Sequence, residues 1–330
     1  MTWRAFGSLM TLALALGSAG PSRAAVESGS EARKKAVKTA QKRQAAKLAA
    51  APARPSRGQK EGLKETGDPL ALKSSVAFVI DQETNEVLFS KNPRAVLPIA
   101  SITKLMTALV VVEAKQSLDE TLTVSQADID LQKNSGSRLA VGTQMTRGDM
   151  LRLALMSSEN RAANALGRHY PGGMDAFVAR MNRVAQELQM TDTRFTEPTG
   201  LSSGNESSAK DLAVLVKASF DHELIREYST APDHLFAVGK RKMQFRSSNA
   251  LIRSADWDIG LQKTGYISEA GRCVVMQAEM AGRKLIMVLL DSAGKYSRIA
   301  DAERLRKWVT DNAATAVVPA MPAVLREFAR

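Results

Sequence analysis

Strand-forming sequence lies at the two ends of the body of this chain, and helix-forming sequence fills the stretch between them. Residues 75–80 are an apolar, β-rich run, residues 81–85 are turn-forming types and residues 87–90 are β-rich again, which together predict an antiparallel hairpin. Near the other end, residues 273–276 and 285–290 flank a turn at Gly282, and residues 260–266 read as a further strand ending in a turn. Apolar residues recur at helical spacing in 102–112, 150–156, 177–188 and 212–220, and a closing helix is predicted at 299–309. Such an order predicts the α/β (α+β) class: an antiparallel sheet built from both chain ends and covered by helices, one layer of which is an inserted helical lobe. No internal repeat is visible, and 330 residues fit either one compact enzyme body or two average domains.

The first residues carry a different message. Arg4, an apolar run over 9–16 and small residues ending in Ser22, Arg23, Ala24 and Ala25 have the layout of a secretory signal peptide, placed at 1–25. The run is shorter than the roughly 20 residues a membrane span needs, and charges interrupt every later apolar segment. The mature chain is therefore expected to be exported to the periplasm, soluble or loosely associated with wall or membrane. Residues 26–68 are rich in Ala, Lys, Gln and Arg, contain Pro52 and Pro55, and lack aromatics. They cannot bury enough surface to offset the entropy of ordering, which predicts a disordered basic linker, with order beginning near Ser74. Much of the formal charge of +12 sits there, including Arg33, Lys34, Lys35, Lys38, Lys42 and Arg43, so the folded part is nearer neutral. The linker either contacts anionic polymers in a salt-sensitive way or is a solvated spacer. A nucleic-acid partner is not expected: no helix-turn-helix, zinc-finger or aromatic-platform pattern accompanies the charge, and export removes the chain from the chromosome. Cys273 is the only cysteine, which excludes an intrachain disulfide and a cysteine metal cluster. His169, His222 and His234 lack metal-ligand spacing, so no metal or other cofactor is expected.

The chemistry concentrates in three separated motifs. Ser101-Ile102-Thr103-Lys104 places a serine at the start of an apolar helix with a lysine on the same face. A serine hydroxyl is a weak nucleophile until a base removes its proton, and a desolvated lysine amine can be that base, whereas a free lysine with a pKa of about 10.4 is mostly protonated. The helix N-terminus also favours an oxyanion formed during acyl transfer, with the Ser101 N–H as one donor. By itself this motif is a weak signal, since capping serines followed by a lysine occur in many helices and that reading prevails for the motif alone. Two more segments accompany it: Ser157-Ser158-Glu159-Asn160, a polar break between helical runs, and Lys263-Thr264-Gly265-Tyr266 at the end of a strand-like segment.

Ser-x-x-Lys, then Ser-x-Asn, then Lys-Thr-Gly in this order is the signature shared by penicillin-binding proteins and class A β-lactamases. Together with Gly136-Ser137-Arg138-Leu139, Glu197-Pro198-Thr199-Gly200-Leu201 and Gly271-Arg272-Cys273, the motifs resemble the low-molecular-mass D-alanyl-D-alanine peptidases, and their endopeptidase branch most. The resemblance spans about 69–311. It implies a β-lactamase/transpeptidase-like catalytic domain at 69–312, with a short tail at 313–330. It also implies that Ser101 forms an acyl-enzyme, Lys104 takes its proton, Ser158 relays a proton to the leaving amine and Asn160 holds the substrate amide. Lys263 and Thr264 would contact the substrate's negative end, Gly265 would permit close backbone approach and the Tyr266 N–H would be the second oxyanion donor. Glu159 is expected to point away, in a surface ion pair, and Ser137 and Arg138 either border the cleft or form an ordinary turn. The implied partners are the extended stem peptides of peptidoglycan, added antiparallel to the edge strand, and β-lactams that acylate the same serine.

Three other readings compete. Glu197-Pro198 resembles the dipeptide whose glutamate activates the deacylating water of class A β-lactamases, although the run Thr199-Gly200-Leu201-Ser202 lacks the asparagine that helps hold that water. A carboxypeptidase uses the same acyl-enzyme, but usually continues into a β-rich second domain and an amphipathic anchor, and the end of this sequence at Arg330 favours the endopeptidase. An inactive wall-binding protein would not be expected to keep Ser101, Lys104, Ser158, Asn160 and Lys263.

Overall fold

The computed structural model describes residues 55–238 and 241–316, the last four by backbone alone. The expected signal peptide, most of the basic linker and residues 317–330 lie outside the described residues. Five strands form the main antiparallel sheet: β1 (Ser74–Asp81), β2 (Val87–Lys91), β9 (Asp258–Ile267), β10 (Gly271–Met280) and β11 (Arg283–Ser292), in the order β2-β1-β11-β10-β9. The strands between them pair off as β3 (Leu97–Pro98) with β6 (Glu206–Ser207), β4 (Thr121–Thr123) with β5 (Gln144–Thr146) and β7 (Asp233–Val238) with β8 (Arg241–Arg246). The hairpin expected at the beginning of the body is β1–β2, and the late runs expected as strands are β9, β10 and β11. The sheet is thus closed by the C-terminal strands pairing onto β1, with Phe78 opposite Val288.

Side-chain alternation assigns the two faces. Val76, Phe78, Val275, Ile286 and Val288 enter the larger core, shared with the helical layer, whereas Ala77, Val79, Val274, Met276 and Met287 enter a second core. Because both faces are buried, the strands read as nearly continuous apolar runs. Each fully buried Val or Phe contributes roughly 1.5–3 kcal/mol relative to exposure.

The helical layer comprises α1 (Lys104–Glu113), α2 (Arg147–Met156), α3 (Asn160–Arg168), α4 (Gly173–Glu187), α5 (Ala209–Phe220) and α6 (Glu223–Thr230). Four of these match the expected helical runs. α3 and α6 were hidden in the sequence, since α3 is short, alanine-rich and starts inside the polar break, and α6 follows α5 after only a brief turn. The second core is closed by α7 (Ser297–Ala316), which contributes Ala302, Leu305 and Val309 and continues past the end expected from its apolar spacing. It also runs through 312, so no break separates the expected catalytic domain from the first residues of the expected tail.

The start of the body differs from expectation. Order begins by residue 55, not near Ser74: Ser56 caps the short helix Arg57–Lys60 in a reciprocal capping box with Gln59, and its N-terminal turn is pinned by Arg57 N donating to Glu269 O at 2.9 Å. Asp68 accepts from the Leu70 and Leu72 amides and from Lys91 Nζ at 2.9 Å, a pair with both side chains buried. Composition averaged over 26–68 conceals this, because a few capping and ion-pairing residues dock a segment that is otherwise polar.

Candidate active site

The nucleophile segment enters from β3 (Leu97–Pro98), which pairs with β6 (Glu206–Ser207). It then forms a 3-10 turn, Ala100–Thr103, before α1 begins at Lys104. The sequence predicts a plain helix here; the tighter turn matters because side chains three apart eclipse in 3-10 geometry, bringing Ser101 and Lys104 directly over one another. Lys104 Nζ lies 2.9 Å from Ser101 Oγ. Ala100 holds a left-handed φ of 49°, a costly conformation for a residue with a Cβ and a common accompaniment of functional turns. Thr103 Oγ1 donates to Ala100 O at 2.8 Å, and Ile99 N donates to Asn205 O at 3.0 Å, which fixes the turn from both sides.

Lys104 is fully buried. Its three ammonium protons have three acceptors: Ser101 Oγ at 2.9 Å, Asn160 Oδ1 at 2.7 Å and Thr199 O at 2.6 Å. Burial pushes its pKa down to about 8, against the opposing pull of the Glu197 and Glu159 charges. When the amine loses a proton it keeps donors for Asn160 and Thr199 and turns its lone pair to Ser101. That is the geometry of a general base on a serine.

The middle motif is held by the gap between α2 and α3. Ser158 sits at φ 62°, another left-handed non-glycine residue, which turns its hydroxyl toward β9. Lys263 Nζ donates to Ser158 Oγ at 2.9 Å and to Thr264 O at 2.9 Å. Register explains the reach of Lys263: Phe78, Val288, Val275 and Lys263 form one cross-strand row, so Lys263 projects from the edge strand on the helical-layer face. Burial, with the charges of Lys104 and Arg298, holds the Lys263 amine well below the ordinary lysine range.

Glu159 is not in a surface ion pair. It is buried, accepts a short hydrogen bond from Ser137 Oγ and caps α3 through the Arg161 amide. Ser137 therefore belongs to the wall of the site, whereas Arg138 turns away, stacking on Phe245 and donating to Gln244 O at 2.8 Å. Asn160 Nδ2 donates to Ser135 Oγ at 3.0 Å, so its amide is clamped between that loop and Lys104.

Gly265 faces the nucleophile turn: a Cβ there would stand 3.0 Å from Ile99 O, Ala100 Cβ and Ser101 N. Its close approach is thus to the chain's own turn. Tyr266 follows on the exposed edge, its ring beneath the Arg272 guanidinium. Thr264 Oγ1 is 2.7 Å from Ser248 Oγ, and Ser248 N donates to Met156 O at 2.9 Å, which ties the strand to the end of α2.

Ser101, Lys104 and Asn160 form one hydrogen-bonded set, and Ser158, Lys263 and Thr264 a second. Sequence reasoning missed Thr199 O, Ser135, Ser248 and Arg298. The first is a backbone group with no residue signature. Arg298, at the start of α7, is a largely buried cation whose guanidinium reaches toward Gly265 O at 3.5 Å, and only the fold brings it to β9. A cavity of about 210 Å³ opens beside Asn160 and Thr199, lined also by Asp130, Leu131, Asn164 and Leu201.

Comparison with known proteins finds similarity to D-alanyl-D-alanine peptidases. Residues 63–294 match a peptidase family described as D-alanyl-D-alanine carboxypeptidase. A D-alanyl-D-alanine endopeptidase of Pseudomonas aeruginosa is 47% identical over 254 residues, covering 76% of this chain and 82% of its own length. A protein of the same description from Escherichia coli is 42% identical over 264 residues, covering 79% and 85%. The Streptomyces K15 DD-transpeptidase shares the fold with a TM-score of 0.67 at 24% identity, over 76% of this chain and all of the other. Penicillin-binding protein D2 of Listeria monocytogenes, solved in its cefotaxime-bound form, is 29% identical with a TM-score of 0.63, over 73% and 98%.

Proposed function

Because the chain belongs to the D-alanyl-D-alanine carboxypeptidase family of peptidases, we propose that it is a serine D-alanyl-D-alanine endopeptidase that opens peptide cross-links of peptidoglycan through an acyl group on Ser101. The observation that carries the reading is the buried Lys104 amine at 2.9 Å from Ser101 Oγ, with its other two donors fixed.

An extended stem peptide lies along the edge of β9, antiparallel, with its acyl carbonyl between the Ser101 and Tyr266 N–H groups. Ser101 Oγ attacks that carbon as its proton passes to Lys104 Nζ. The tetrahedral intermediate collapses with cleavage of the C–N bond, and the leaving amine takes a proton from Ser158 Oγ, which Lys263 replenishes. Lys104 gives the Ser101 proton up to solvent and Lys263 regains one from it. Water then attacks the acyl-enzyme as its proton passes to neutral Lys104, and collapse of the second tetrahedral intermediate breaks the acyl–Oγ bond, Ser101 Oγ taking that proton back from Lys104. Arg298 and Arg272 make this end of the cleft positive, which suits a substrate carboxylate.

The endopeptidase reading is preferred to the carboxypeptidase reading because relatives at 47% and 42% identity carry the former description. A carboxypeptidase of Bacillus subtilis is 31% identical and only 65% of its length is covered. The β-lactamase reading is disfavoured because both Glu197 oxygens are already engaged by donors from the chain, which competes with their binding an activated water. The export signal expected at 1–25 supports a periplasmic location, and among the described residues no helix is long and apolar enough to cross a membrane. Treatment with a penicillin followed by peptide mass analysis tests the reading: the adduct is expected on Ser101 and absent in Ser101→Ala, and an unmodified wild type would refute it.

A further inference from the structure

Glu197 drew attention in the sequence as a possible water-activating base, yet although it borders the cavity beside Asn160, both oxygens of its carboxylate are taken by donors of the chain itself. Oε2 accepts from Thr199 N at 2.6 Å and Thr199 Oγ1 at 2.5 Å, and Oε1 accepts from Gly200 N at 2.6 Å, Ser202 N at 3.3 Å and Asn205 Nδ2 at 2.7 Å. Five donors saturate the lone-pair sites of an ionised carboxylate. The turn they wrap is pressed against the nucleophile: Gly200 holds φ 81°, and a Cβ there would collide with Ala100 O. Asn205 Nδ2 also reaches Thr103 Oγ1 at 3.2 Å, and Thr107 Oγ1 donates to Pro198 O at 2.7 Å.

We propose that Glu197 is the positioning residue for the catalytic lysine: its carboxylate folds the 197–202 turn so that the Thr199 carbonyl receives Lys104 Nζ, and its negative charge is the counter-charge of that amine. This rests on the assignment of Lys104 as the base for Ser101. The carbonyl contact at 2.6 Å is the shortest of the three that Lys104 makes, and with the Asn160 contact it persists when the lone pair swings to Ser101. Without the carboxylate, four backbone and side-chain donors of the turn lose their acceptor, and the turn that aims Thr199 O is held by fewer bonds, among them those from Thr107 to Pro198 O, from Asn205 to Glu197 O and from Leu201 to Thr199 Oγ1. A glutamine cannot substitute, because its NH₂ group faces N–H donors on one side.

Charge completes the argument. The ionisable groups facing Lys104 are Glu197 on the turn, Glu159 at the start of α3 and Lys263 on β9, with Arg298 of α7 behind Lys263. Glu197 is the larger of the two carboxylate influences, and both act to keep the amine protonated against burial. Removing it therefore lowers the pKa of the amine while loosening its position, two effects of opposite sign on the rate at neutral pH.

The test is the pH dependence of Ser101 acylation by a fluorescent penicillin, in the mature protein, for wild type, Glu197→Gln and Glu197→Asp, with a thermal melt confirming each fold. The wild-type rate should rise through a limb centred at about pH 8. E197Q is expected to move the limb down by roughly one unit and lower the high-pH plateau at least tenfold, on the order expected for a displaced catalytic group. E197D keeps the charge, so its limb should stay in place while its plateau falls. A folded E197Q with an unmoved limb, or a wild-type plateau in both variants, overturns the proposal. A wild type that is not acylated at Ser101 overturns the functional reading itself, so the two failures are distinguishable.

Discussion

Lys263 and Ser158, on an edge strand and on the turn between two helices, are joined by a 2.9 Å hydrogen bond from Nζ to Oγ. The serine of the second motif is thus joined to the lysine of the third, while the asparagine of the second motif joins the Ser101–Lys104 set. Replacing Ser158 by Ala should depress steady-state hydrolysis of a cross-linked peptide by on the order of 10²–10⁴-fold, the usual range for a lost acid–base group. Steady-state rates on a purified muropeptide dimer check this, and a rate within a factor of about two of wild type would remove Ser158 from the relay.

The acylating base should be visible in the pH profile. Burial brings Lys104 to about 8, so roughly a tenth of it is neutral one unit lower. Acylation should climb about tenfold per pH unit below that value and level above it. Lys104→Arg, which keeps the charge but cannot lose its proton, should abolish the rise and most of the rate. Stopped-flow or gel-based penicillin labelling measures both.

Gly265→Ala adds a methyl group 3.0 Å from three atoms of the nucleophile turn. The strand must retreat or the turn must shift, and overpacking of this kind costs typically 1–3 kcal/mol. Both a lower melting temperature and slower acylation are expected, since the Ser101 N–H lies at the point of contact. Unchanged acylation with an unchanged melt would mean that β9 and the turn are less closely fitted than described.

Much of this site was legible in the sequence because its residue types are unusual in combination. Ser101, Lys104, Ser158, Asn160 and the Lys263–Gly265 segment stand in an order that chance seldom produces, and strand alternation explains why Lys263 and Gly265 share a face. Glu159 was misread because its partner, Ser137, comes from a loop with no periodic signal. Thr199 contributes only its carbonyl, a group every residue carries, so no pattern could single it out. The early part of the fold failed for a related reason: Ser56 and Asp68 order 55–68 by particular hydrogen bonds that bulk composition averages away.

That early segment also offers a stability test. Asp68 and Lys91 form a buried pair, so Asp68→Ala leaves an unpaired ammonium inside the protein and should cost about 3–5 kcal/mol. Although burial opposes it, hydrogen bonds from Lys91 and the Leu72 and Leu70 amides hold the Asp68 carboxyl below its ordinary range. Its contribution should be complete above the unfolded value of about 3.9 and be lost as pH falls through the lower folded value. Urea unfolding of wild type and variant at neutral and acidic pH checks both statements; a variant as stable as wild type at neutral pH would show that the segment is not part of the folded body.

The central claim is tested most directly by incubating the mature protein with a purified cross-linked muropeptide dimer, alongside monomeric pentapeptide, and identifying the products by mass spectrometry for wild type and Ser101→Ala. Wild type should convert the dimer to monomers and Ser101→Ala should leave it intact. Loss of a single terminal alanine from the pentapeptide with the dimer untouched, or cleavage of the dimer by Ser101→Ala, would contradict a Ser101-dependent endopeptidase.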